Sequence, residues 1–282
     1  MSPAAGQKGE FMKDKKRIVI KVGTSTLTHE SGALNLQRIE HMARVLADLH
    51  GMGHEVILVS SGAIAVGVAE LQMGARPTEL RYKQAAAAVG QCNIMHIYDK
   101  LFSEYTCSVA QILLTGDDVD DPIRAEHLSN TFSALLEMGV IPIVNENDSV
   151  SSAEIETGHN KILGDNDTLS AIVARLCRAD LLVLLSDIDG LFDANPRTDP
   201  NAKLIPVVNE ITDDILQLAG GSGTWRGTGG MATKLNAAGI AMASGVEMVI
   251  TNGNRMEDIY GIVEGQPIGT RFLASDVGSR RE

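Results

Sequence analysis

The chain has 282 residues, 44% hydrophobic and 21% charged, which excludes wholesale disorder and suits one large domain or two modest ones. Its 24 lysines and arginines face 36 aspartates and glutamates, a formal charge of −12 that argues against a nucleic-acid binder relying on a basic face. Three scattered cysteines (Cys92, Cys107, Cys177) form no CxxC or Cys/His cluster, and no apolar run reaches membrane-spanning length, so disulfide framework, zinc site and membrane span all lack support.

In chain order, residues 1–14 read as a flexible polar tail. Lys8, Lys13, Lys15 and Lys16 crowd the start, but no apolar stretch follows to make a signal peptide, which points to a cytoplasmic protein. Arg17–Val22 predicts a first strand and Gly23-Thr24-Ser25 a turn. From Asn35 to Met52 the apolar residues Leu36, Ile39, Met42, Ala43, Leu46 and Leu49 follow a helical period that Gly51 and Gly53 end. Glu55–Val59 is a second strand, followed at once by Ser60-Ser61-Gly62. Helices are expected over Ala63–Glu70 and Leu80–Phe102, a strand over Ser108–Leu114, and a helix over Ala125–Glu137. The fourth strand, Val140–Val144, runs into Asn145-Glu146-Asn147-Asp148. A helix over Asn166–Leu176 and a fifth strand, Leu181–Leu185, lead to Ser186-Asp187. A glycine-rich loop, Gly220–Gly230, precedes a helix over Met231–Ala243 and a sixth strand over Val246–Ile250. Residues 274–282 read as a second flexible tail. Strands alternating with helices predict an α/β fold with a parallel sheet, one unit over 15–273 whose two lobes share that sheet.

Polar and glycine clusters sit at the carboxyl ends of these strands, the edge where ligands bind in open α/β sheets. Any one of them is ordinary turn chemistry; five at one edge are harder to dismiss. Lys21 lies among Ile18, Val19, Ile20 and Val22. Alone it reads as a strand-end lysine reaching solvent, but Gly23 next to it permits close backbone approach to a ligand, which suits phosphate. Gly227-Thr228-Gly229-Gly230-Met231-Ala232-Thr233-Lys234 opens a helix whose first amides carry partial positive charge. Glycines let such amides wrap phosphate oxygens, and Lys234 on the first turn can reach them. The bland alternative, a flexible loop before an ordinary helix, explains the glycines but not their order with Thr233 and Lys234. No Gly-Lys dipeptide occurs, so this is not a Walker A loop. No GxGxxG follows the first strand, which disfavours a dinucleotide-binding dehydrogenase. In Asp165-Asn166-Asp167 one residue serves as helix cap, and a cap needs only one. Asp167 is free to hold two lysines by charge-assisted hydrogen bonds.

Taken together, IKVGTSTLT (20–28), VSSGAIAVG (59–67), IPIVNENDSV (141–150), GDNDTLSAIVA (164–174), LLSDIDGLFDANPR (184–197) and GTGGMATKLNAA (227–238) closely resemble the glutamate 5-kinase branch of the amino acid kinase family. They run in order across nearly the whole chain and separate it from branches acting on acetylglutamate, aspartate, carbamate or UMP. The resemblance implies a three-layer αβα sandwich around a mainly parallel sheet, with an amino-terminal glutamate-binding part and a carboxy-terminal ATP-binding part. It implies Lys21 and Lys234 on the transferring phosphates, with Asp167 organising both. It implies Ser61, Asp148 and Asn166 on glutamate, with Gly62, Ala63 and Asn145 nearby. It implies Lys21, Gly23, Ser186, Asp187 and the run Thr228, Gly229, Gly230, Met231, Ala232, Thr233, Lys234 on ATP. Mg²⁺ would travel with the nucleotide, with no protein metal cage. Ser186 stands where the family often has threonine, which keeps the hydroxyl. Gly158–Leu163 reads as a longer link into GDND than is usual. The chain ends without room for the PUA domain of many bacterial members.

The resemblance further brings in a dimer or tetramer, coupling to a glutamate-5-semialdehyde dehydrogenase and feedback inhibition by proline, none of which the residues themselves decide. Two alternatives stay open at this level. One is a family member with a different acidic acceptor; the other is a non-catalytic sensor of glutamate, proline or nucleotide. The joint presence of Lys21, Asp167 and Lys234 argues against the sensor.

Overall fold

The computed structural model describes residues 15–29, 31–150, 163, 165–218 and 230–275. The elements are β1 (Arg17–Val22), α1 (Thr24–Leu27), α2 (Leu36–Gly51), β2 (Glu55–Ser60), α3 (Ala63–Glu70), α4 (Leu80–Glu104), β3 (Val109–Leu114), α5 (Gly116–Asp120), α6 (Pro122–Glu137), β4 (Ile141–Glu146), α7 (Asn166–Leu176), β5 (Leu181–Ser186), β6 (Val207–Val208), α8 (Asp213–Leu218), α9 (Met231–Ala243), β7 (Glu247–Asn252), α10 (Asp258–Val263) and β8 (Thr270–Phe272). The expected helices at 63–70, 166–176 and 231–243 have these same bounds.

The strands form one eight-stranded sheet in the order β3-β4-β2-β1-β5-β7-β8-β6. Every pair is parallel except β7 with β8. The central strands are nearly unbroken aliphatic runs because helices cover both of their faces. The alternation of side chains across β1 divides the core in two. Ile18, Ile20 and Val22 pack on one side with α2, α3, α4 and α10. Val19 packs on the other with α6, α7 and α9. Lys21 shares the parity of Val19, so the pleat directs it to the α7/α9 side.

The segment Gly23-Thr24-Ser25, expected as a turn, instead begins the short helix α1, with Gly23 as its N-cap. α6 begins three residues before its apolar period shows. Asp121 caps it by accepting from the Ile123 and Arg124 amides, and Pro122 occupies the first turn. α5 has a polar sequence held by a capping box between Thr115 and Asp118. β6, α8, α10 and β8 were not anticipated, being two to six residues long.

α3 and α4 lie in backbone contact. A Cβ on Gly67 would stand 1.8 Å from the Ala86 carbonyl oxygen, and one on Gly90 would stand 1.9 Å from that of Ala63. This packing fixes the start of α3, and with it the Ser61-Gly62-Ala63 turn. Gly62 has φ +98°, a left-handed conformation in which glycine is the favoured residue.

Candidate active site

Because β1, β2, β4 and β5 are parallel, their carboxyl ends meet at one edge. The chain leaves β1 for β2 on one side and returns as β5 on the other, the switch point at which such sheets open a crevice. A cleft of about 450 Å³ opens there. Lys21, Gly23, Ser61, Gly62, Ala63, Asn145, Asp148, Asn166, Asp167, Ser186, Asp187 and Lys234 all line it. A second cleft of about 390 Å³ adjoins it, lined by Leu191, Phe192, Pro196, Leu218, Gly230 and Met231 among others. The two share Ser186, Asp187 and Lys234.

At that junction three elements converge. The Lys21 ammonium from β1 lies 2.6 Å from one oxygen of Asp167 on α7, and the Lys234 ammonium from α9 lies 3.0 Å from the other. Thr233 Oγ1 donates to the second oxygen at 2.9 Å. All three charged groups are buried, Asp167 being only 1% exposed. Burial pushes the Asp167 carboxyl up, but the two ammoniums outweigh it and hold it below the usual carboxylate range. Two ammoniums on one carboxylate carry a formal +1 at the floor of the cleft. Beside them the first amides of α9 open without a side-chain cap on Gly230. The arrangement suits an anion such as phosphate.

The sequence Asp165-Asn166-Asp167 divides its work. Asp165 caps α7, accepting from the Thr168 amide at 2.8 Å. Asp167 turns to the lysines, and Asn166 turns to the ends of β2 and β4. Its amide donates to Ser61 Oγ at 2.6 Å and to Asn145 Oδ1 and the Ser60 carbonyl at 3.2 Å each. Asn145 in turn donates to Gln91 Oε1 at 2.9 Å, and Ser60 Oγ bonds the Tyr98 hydroxyl at 2.9 Å. Gln91 and Tyr98 both come from α4, so the long helix stiffens this half of the cleft. Sequence reasoning missed them; the available signal was a lone amide and a lone phenol on an otherwise apolar helix face.

Asp148 lies just past β4. Burial and the neighbouring Glu146 push its carboxyl up to about 6, against the opposing pull of Arg76. Arg76 lines the same cleft and was also missed. Asp187 pairs with Arg197 at 2.6 Å at the exposed rim. Met231 lines the second cleft, while Ala232 lines neither. Thr228, Gly229 and the rest of 219–229 lie outside the described residues, as do 1–14, 158–162 and 276–282.

The model of the amino acid kinase family matches residues 16–252. Over 263 residues the chain is 54% identical to a glutamate 5-kinase of Clostridium perfringens, covering 93% of this chain and 97% of that one. It is 55% identical to a glutamate 5-kinase of Listeria welshimeri, covering 93% and 95%. Among solved structures, carbamate kinase from Giardia lamblia bound to AMP-PNP superposes with a TM-score of 0.64 at 17% identity, covering 93% of this chain and 99% of that one.

Proposed function

The chain belongs to the amino acid kinase family, and we propose that it moves the terminal phosphoryl group of ATP to the γ-carboxylate of L-glutamate. The products are ADP and L-glutamate 5-phosphate, the entry to proline synthesis. The observation that carries this reading is the buried Lys21–Asp167–Lys234 cluster at the junction of the two clefts. The identity to glutamate 5-kinases over nearly the whole chain supports the choice of acceptor.

In this reading glutamate lies in the cleft beside Ser61, Asn145, Asp148 and Asn166. ATP lies along Ser186, Asp187, Met231 and the start of α9, with Thr228 and Gly229 on its phosphates. Mg²⁺ enters with ATP as part of the substrate. A free γ-carboxyl has a pKa near ~4.3 and is ionised at neutral pH, so the nucleophile needs no general base. The described residues lining the cleft include no histidine. The difficulty is one anion attacking another. Lys21 and Lys234 meet it by neutralising charge on the oxygens in flight, and Asp167 keeps both ammoniums on station. The family resemblance also carries assembly as a dimer or tetramer, delivery of the acyl phosphate to a dehydrogenase, and inhibition by proline. Acyl phosphates hydrolyse readily, which is a chemical reason for rapid delivery.

The test is ADP release with glutamate, acetylglutamate, aspartate, carbamate and UMP offered in turn. Glutamate should support turnover far above the rest; preference for another acceptor moves the chain to a different branch, and no turnover with any leaves a sensor.

Two further results are expected. The Asp148 carboxylate is suited to the substrate's α-ammonium and must be ionised to hold it. Its pKa is raised to about 6, so binding strengthens as pH rises through that value. KM for glutamate should climb by up to about tenfold per pH unit below it, while KM for ATP stays nearly level. Asp148→Asn should raise KM at neutral pH and abolish that limb; a limb that survives assigns it to another group. Asn166→Ala should likewise raise KM for glutamate more than KM for ATP. An ATP-selective defect would reverse the assignment of the two clefts.

A further inference from the structure

Three cations line the main cleft among the described residues, and Lys21 and Lys234 both ion-pair with Asp167. The third is Arg76, which lines this cleft and not the adjoining one. It stands on the connection between α3 and α4. That connection is anchored by the Met73 amide donating to the Val68 carbonyl at 3.0 Å and the Ala75 amide to the Met73 carbonyl at 2.8 Å. Gly74 turns the chain with φ +73°. Pro77 restricts Arg76 itself to extended backbone. Both flanking helices are locked together at Gly67 and Gly90. An exposed side chain is thus carried on a braced loop at the mouth of the cleft.

The cleft also carries acidic groups outside the Lys21–Asp167–Lys234 cluster. Glu146 and Asp148 line it, and Arg76 is close enough for its charge to pull against the rise in the Asp148 carboxyl. An amino acid entering with its ammonium toward Asp148 brings its α-carboxylate close to these two carboxylates. Two protein carboxylates would repel it unless a cation offsets them. Arg76 is the described cation of the cleft not committed to Asp167, and a guanidinium fork matches a carboxylate in two parallel hydrogen bonds.

We propose that Arg76 binds the α-carboxylate of the acceptor, the carboxylate that is not phosphorylated, and so selects for an acceptor that carries one. This rests on the glutamate reading above and adds a specificity residue to it.

The experiment compares L-glutamate with L-isoglutamine, which has the same γ-carboxylate and α-ammonium but a neutral α-carboxamide. Wild type, Arg76→Ala and Arg76→Lys are assayed near pH 7 for kcat/KM with each. Wild type should prefer glutamate. Arg76→Ala should lose about tenfold or more with glutamate and little with isoglutamine, so that the preference shrinks by the same factor. Arg76→Lys should retain part of it. A purely structural role, or one exercised through Asp148, would lower both substrates equally, because both carry the ammonium. Equal loss on the two substrates, or no loss on either, overturns the proposal and leaves the glutamate reading intact. Wild type without glutamate-dependent turnover overturns both.

Discussion

Lys234→Ala is expected to fold and to lose about 10²–10³ in kcat, the usual cost of removing one oriented charge from such a site. The Lys234 ammonium is buried and sits 3.0 Å from Asp167, beside the open amides of α9. The truncated protein keeps the Lys21–Asp167 ion pair at 2.6 Å, so the carboxylate is not stranded. Steady-state rates and a thermal melt, taken on the same preparation, separate the two effects. Near-normal turnover with an unchanged melt would remove Lys234 from the chemistry. Asp167→Ala differs in kind, since it leaves two buried ammoniums without their carboxylate. It should lower the melting temperature as well as the rate.

The second large effect is on stability. Gly90→Ala should destabilise the fold by about 3 kcal/mol or more, which lowers the melting temperature by roughly 6–12 °C. Its new Cβ would stand 1.9 Å from the Ala63 carbonyl oxygen and 2.6 Å from the Gly67 nitrogen, both backbone atoms that cannot rotate aside. The helices must separate, and α3 carries the Ser61-Gly62-Ala63 turn with it, so KM for glutamate should rise too. Gly51→Ala is the control. Gly51 ends α2, and a Cβ there meets nothing within 4 Å. If the two variants melt alike, the backbone contact between α3 and α4 does not carry the stability argued for it.

Much of this was legible before any coordinates. Strands β1, β2, β4 and β5 announce themselves as short aliphatic runs because each is covered on both faces. Lys21 stands out because it interrupts an aliphatic run, Ile18-Val19-Ile20 before it and Val22 after it, and the pleat then decides which face receives it. Asp165, Asn166 and Asp167 were visible as a surplus over what one cap requires, although only the structure apportions them. Other features depend on distance in space. The bonds from Gln91 to Asn145 and from Tyr98 to Ser60 join residues 54 and 38 apart in sequence, and no local pattern predicts such pairs. α5 escaped notice because its helix is held by a capping box and not by an apolar stripe. β8 escaped because three residues cannot establish a period. Gly67 and Gly90 were readable as small residues in helices, but their meaning lies in the opposing carbonyls. Arg76 lies in a loop with no motif, and its interest comes from Glu146 and Asp148, which line the same cleft.

The central claim is that the buried lysine–aspartate–lysine cluster serves phosphoryl transfer to a carboxylate of glutamate, so the product must be an acyl phosphate. Hydroxylamine tests this directly, because it converts an acyl phosphate to a hydroxamate and leaves phosphate esters intact. Purified protein with MgATP, L-glutamate and hydroxylamine should yield γ-glutamyl hydroxamate in step with ADP, and Lys234→Ala should lose both together. ADP formed without hydroxamate, or hydroxamate formed equally well by Lys234→Ala, would contradict the account.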